Sequence, residues 1–83
     1  MLLHWDNQNL EHIARHGVSQ AQAEAAMEAK DATVRQDTTR FNRWIIEATV
    51  EGRTMKVAFS RAFQDGFRVV TAHWMSSKRR RKT

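Results

Sequence analysis

The sequence predicts a small α+β domain, on three observations. Helix-capping signals punctuate the first thirty residues, period-two alternation takes over from Phe41, and two glycine-containing turns divide that alternation into hairpins. Two N-terminal helices are expected on one face of a three- to four-stranded antiparallel sheet, with a short basic tail or helix at the C-terminus.

Asp6 precedes a segment with Leu10, Ile13 and Ala14 on one helical face, and its carboxylate can cap the free N–H groups of the first turn. A helix is predicted over 7–16, closed at Gly17 by a left-handed residue, with Val18 packed under the turn. Ser19 and Gln22 then match a capping box, so a second helix starts at once and runs to about Lys30. Its small apolar face, Ala21, Ala25 and Met27 to Ala29, suits close packing on a sheet.

Beyond Asp31 the period changes. Residues 32–36 are expected to add an edge strand, and Asp37 to Arg40 to form a loop. In the next strand Trp44, Ile46, Ala48 and Val50 point one way, and Arg43, Ile45, Glu47 and Thr49 the other. Glu51-Gly52 reads as a two-residue turn into a strand over 53–60, and Asp65-Gly66 as a second turn into a strand over 67–74. The first turn pairs Val50 with Arg53, Ala48 with Met55, Ile46 with Val57 and Trp44 with Phe59. The second pairs Gln64 with Phe67, and therefore Phe59 with Ala72 and Val57 with Trp74. Both hairpins place their apolar residues on one face. Trp5 and Trp44 read as core, and Trp74 as core or as a platform for a stacked base.

The opposite face collects Arg43, Glu47, Thr49, Thr54, Lys56, Ser60, Thr71 and His73. In this register Glu47 lies across from Lys56, and Ala58 across from both Ile45 and His73. Metal-free cleavage of RNA requires a base for the 2′-hydroxyl, cations for the phosphate and an acid for the leaving oxygen. Glu47 as base, Lys56 with Arg43 as cations, and His73 as acid supply those three chemistries. A cross-strand salt bridge beside a surface histidine is the structural alternative.

Other chemistries lack their residues. The 83-residue chain has no cysteine, no Gly-rich phosphate loop and no nucleophile elbow. His12 and His16 have the helical spacing of a metal pair, but no carboxylate or cysteine nearby in sequence completes a set. No cofactor is expected. No apolar run approaches the roughly 20 residues of a membrane span, and MLLHWDN lacks the features of a signal peptide, so a cytoplasmic location is expected without membrane attachment.

The formal charge of +5 is the charge of residues 78–82 alone, Lys-Arg-Arg-Arg-Lys; the rest balances nine basic residues against nine acidic ones. Clustered charge steers an anionic partner, with RNA the expected one. A solvated tail is the alternative. Arg43, Arg61 and Arg68 in the body, with Lys78, Arg79, Arg80 and Arg81 in the tail, are the candidate phosphate-binding cations.

Trp5-Asp6, Asn9 and the run His12-Ile13-Ala14-Arg15-His16-Gly17-Val18-Ser19 resemble the opening of BrnT-family toxins, in which Trp-Asp and His-Gly-Val flank the first helix. The resemblance continues through Glu51-Gly52-Arg53, Arg68-Val69-Val70-Thr71-Ala72, Met75 and the basic run, and covers nearly the whole chain. It implies one RelE-like toxin domain over 1–77 with a basic tail over 78–83. It also implies cofactor-free cleavage of RNA that inhibits growth. The implied partner is a cognate antitoxin, usually a ribbon-helix-helix DNA-binding protein that carries the complex to operator DNA. Where the family usually has arginine in the last strand this chain has His73, and the family's sheet glutamate aligns nearer Thr49 than Glu47. A degenerate member that binds antitoxin or nucleic acid without cleaving is the alternative the His73 replacement suggests. A structural subunit of a larger assembly, or a homo-oligomer, would suit the small core.

Overall fold

A computed structural model of the chain describes residues 2–62 and 65–75. Among these residues it forms two helices and a five-stranded mixed sheet in the order β1-β5-β4-β3-β2.

Strand β1 is Leu3–His4, helix α1 Asn7–Ala14 and helix α2 Gln20–Met27. Both helices begin with complete capping boxes. Asp6 accepts from the Asn9 N–H while the Asn9 side chain accepts from the Asp6 N–H, and Ser19 and Gln22 exchange the same pair of bonds. The four strands that follow are β2, Thr33–Gln36; β3, Trp44–Val50; β4, Arg53–Arg61; and β5, Phe67–Trp74. The helices are each shorter than expected, because Gly17 and Glu28 lie where the chain already turns toward the next element.

The β3–β4 hairpin follows the expected register throughout, from Val50↔Arg53 to Trp44↔Phe59. Its turn residues, Glu51 and Gly52, both take positive φ, 55° and 76°, which is type I′ geometry. The β4–β5 register differs from the expected one by two residues at Val57 and by three at Phe59. Val57 faces Ala72 and Met55 faces Trp74, while Phe59 faces Val69. The cause lies at the turn. Phe67 donates to the Leu2 carbonyl at 2.9 Å, and a Cβ on Gly66 would stand 2.6 Å from that same carbonyl. Gly66 therefore serves the close approach of β1 rather than a two-residue turn, and the connection widens to 62–66.

That approach also accounts for the strand missing from the expected sheet. Leu3 pairs with Phe67 and His4 with Arg68 in parallel, so the sheet is mixed and five-stranded rather than antiparallel with three or four strands. Two residues carry no alternation to read, and parallel pairing has no hairpin turn to announce it.

Between Ala58↔Thr71 and Phe59↔Val69, β5 has one residue more than β4, a β-bulge at Val70. The bulge resets the alternation, so both Val69 and Ala72 point into the core and are fully buried. The core joins Ile13, Val18, Ala23, Ala26 and Met27 from the helical half to Ile46, Ala48, Val50, Met55, Val57 and Phe59 from the sheet. Helix α2 packs on β3 and β4, and α1 on β5. Trp5, Trp44 and Trp74 all pack against this core from its margin.

Candidate active site

On the face of the sheet away from α2, the register places Glu47, Lys56 and His73 in one row. Glu47 pairs with Lys56, and Lys56 with His73. His73 thus stands across from Lys56; Thr71, not His73, occupies the place opposite Ala58. Glu47, Lys56 and His73, the residues expected as base, cation and acid, therefore occupy neighbouring positions on three adjacent strands. With strands about 4.8 Å apart, the outer two side chains are rooted roughly 10 Å apart with the lysine between them.

The Glu47 carboxylate reaches outward to Arg35 of β2, 3.4 Å away. Arg35 was not among the candidates, although alternation along 33–36 places it on this face once Thr33 pairs with Glu47. Asp31 anchors Thr49, accepting from its N–H at 3.1 Å, and the Thr49 hydroxyl first and then that N–H hold the Asp31 carboxyl below the ordinary range.

His73 is half-buried, and its imidazole is held below the ordinary histidine pKa, first by burial and then by the positive charges of His16 and Lys56. The His16 ring centroid lies 5.9 Å from that of His73, and the His12 ring 5.6 Å from His16. On the core side of the same strand the Trp74 indole donates to the Gly17 carbonyl at 3.1 Å, with the Arg53 guanidinium 4.2 Å above its ring. The end of α1 therefore straddles the edge of β5, contacting consecutive residues that point to opposite faces.

The three candidate arginines of the body are placed differently. Arg43 precedes β3, and its Nε is buried without a hydrogen-bond partner among the described residues. Arg68 lies opposite Ser60, but its guanidinium is bound to the Asp6 carboxylate at 2.8 Å. The Asn9 N–H and the Arg68 guanidinium, in that order, hold the Asp6 carboxyl below its ordinary pKa. Arg61 lies on the other face, with its guanidinium 5.7 Å from the Trp44 ring centroid. There it borders an apolar groove formed with Val34, Trp44, Ile46, Phe59 and Phe67. Lys78, Arg79, Arg80 and Arg81 lie outside the described residues.

A residue without a candidate role proves central to the scaffold. Asn9, 4% exposed, donates its amide to the Val69 carbonyl at 3.3 Å and to the His4 carbonyl at 3.4 Å. It satisfies the edge of β5 where the two-residue β1 has ended. A polar residue on an otherwise apolar helix face is the sequence signal for such a role.

Among the described residues no set of three or more His, Asp or Glu side chains is arranged to hold a metal ion, and no helix is long and apolar enough to cross a membrane. Compared with protein-family models and with curated proteins, the chain matches none.

Proposed function

We propose that the chain is the toxin of a toxin–antitoxin pair, a metal-independent endoribonuclease of BrnT type. The observation that carries the chemistry is the row Glu47–Lys56–His73 across β3, β4 and β5. The BrnT-like sequence signature supplies the toxin assignment.

In this reading Glu47 takes the 2′-hydroxyl proton, and the freed oxygen attacks the adjacent phosphorus. Lys56, between the two, holds the phosphate as negative charge builds, with Arg43 as a second cation; its unpaired buried Nε supplies a donor for a phosphate oxygen. His73 gives its proton to the departing 5′-oxygen. The lowered proton affinity of His73 makes it a ready donor once an RNA phosphate has favoured its charged form.

The antitoxin, in the same reading a ribbon-helix-helix protein that takes the pair to operator DNA, occupies the groove beside Arg61. Val34 at 57% exposure and Phe41 at 99% leave apolar surface at that end of the sheet, and an exposed apolar patch of this kind suits a protein partner. We place the pair in the cytoplasm, where its RNA substrate is found.

The Arg35–Glu47 ion pair favours a second reading, in which the face binds RNA without cutting it, because it occupies the carboxylate that the reaction needs free. Purified full-length chain incubated with RNA in the presence of a chelator separates the two. Cleavage leaving 2′,3′-cyclic phosphate ends, abolished by Lys56→Ala and His73→Ala, is expected. Binding to intact RNA would establish the second reading instead.

A further inference from the structure

The row on the sheet does not use the imidazoles of His12 and His16. His12 in α1 and His16 in the turn after it lie four residues apart, and this stretch runs beside β5, with Asn9 on the Val69 carbonyl, His16 against His73 and Gly17 on the Trp74 indole. The result is a chain of imidazoles, His12 to His16 to His73, with ring centroids 5.6 and 5.9 Å apart, ending at Lys56. At the other end of the seam, His12 and Arg68 line an open hollow with Gln8, Asn9, Val69 and Val70.

No ion pair among the described residues neutralises this cluster. Among the described residues no carboxylate pairs with His12, His16 or His73, and residues 63–64 and 76–83 contain no Asp or Glu side chain. Glu47 is bound by Arg35 and Asp6 by Arg68, and Glu11, next to His12 in sequence, forms no ion pair among the described residues. The set is also not arranged to hold a metal. Three imidazoles and an ammonium, whose cross-strand carboxylate Glu47 is bound by Arg35, make a site for an anion. Charge-assisted N–H···O bonds of about 2.8 Å from two rings to the oxygens of one phosphate suit the 5.9 Å separation of His16 and His73.

We propose that His16, His73 and Lys56 form a phosphate-binding site that His12 extends along the α1–β5 seam, a track for the backbone of a single RNA strand. The anion site stands on the cluster; that its natural ligand is RNA rests on the ribonuclease reading. The groups facing His73 are His16 from the turn after α1, Lys56 from β4 and, one strand further, Glu47 from β3, so the charge it meets on protonation is mainly positive. An anion relieves that repulsion. Binding should therefore strengthen as pH falls through the imidazole range.

Histidine ring resonances of the full-length chain, followed by NMR during titration with sulfate, test this. Sulfate keeps one charge state over about pH 8 to 6, so any pH dependence belongs to the protein. Signals of His16 and His73 should move together with one midpoint. His4, which bonds the Asp65 carbonyl at the far end of β5, should stay still as an internal reference. His16→Gln and His73→Gln should each weaken sulfate roughly three- to tenfold, with unchanged backbone spectra showing that the fold persists. A short RNA strand should move His12 as well.

Movement of only one ring, or unchanged sulfate affinity in folded His16→Gln, would overturn the site. If both anions bind at these rings and RNA stays intact, the site stands and the ribonuclease reading falls. Cleavage by the wild type with sulfate indifferent to His16→Gln gives the reverse.

Discussion

Arg43 holds a buried Nε without a hydrogen-bond partner among the described residues, and burial opposes the charged form of His73; the cost of holding them tests whether they are kept for binding. A buried donor without a partner costs free energy that an apolar side chain of similar length does not. Arg43→Met is therefore expected to leave thermal stability unchanged or raise it, while weakening RNA binding; a loss of stability would mean the guanidinium has a structural partner. For His73 the sign follows from its lowered pKa. Above the ordinary value of about 6.5 both folded and unfolded chains carry it neutral, and no stability depends on it. As pH falls below that value the unfolded chain takes up the proton first, so stability declines until the folded pKa is passed. His73→Gln should flatten this decline between about pH 7 and 5 in denaturant melts. An unaltered slope would place the titrating group elsewhere. Asn9→Ala leaves the Val69 carbonyl at the β5 edge without its buried donor, and is expected to cost about 1–3 kcal/mol by chemical denaturation.

At the scale of elements, the fold depends on how the short β1 and α1 close the β5 edge. Gly66, at φ 97°, lies against the Leu2 backbone with no room for a Cβ. Gly66→Ala is expected to destabilise the domain markedly and to release β1, seen as faster amide exchange at Phe67, whose N–H bonds the Leu2 carbonyl. Protection equal to that of the wild type would contradict this role. The same place marks where sequence reading succeeds and where it stops. Capping boxes at Asp6 and Ser19, and the Glu51-Gly52 hairpin, act within a few residues, so their geometry is legible from residue type and spacing. The parallel pairing of Leu3 with Phe67 and the bulge at Val70 arise from contacts between segments distant in sequence. Neither leaves a local pattern, and together they explain the shifted β4–β5 register. For the candidate site, Glu47 and Lys56 were legible because their hairpin was. The neighbourhood of His73 was not, since its contact with His16 depends on where α1 lands beside β5.

For the molecule as a whole, the even sharing of charge in the body leaves the basic run at 78–82 as its source of net positive charge. Long-range attraction of this kind acts over about 10 Å at moderate salt and governs association more than shape. Removal of residues 78–83 should leave the thermal melt of the domain nearly unchanged. It should weaken RNA binding and reduce the slope of log affinity against log salt by up to about 3.5, at roughly 0.7 per neutralised phosphate for a single strand. A slope equal to that of the full chain would separate the tail from RNA. The proposed cutting of RNA by the sheet face is tested in a single assay. Full-length protein, Lys56→Ala and His73→Ala are each incubated with a defined single-stranded RNA and excess chelator, and the products are resolved with their end groups. Cleavage by the wild type to 2′,3′-cyclic phosphate ends, with both variants folded and inactive, is the predicted result. Intact RNA bound by folded wild-type protein, or undiminished cleavage by both variants, would contradict it.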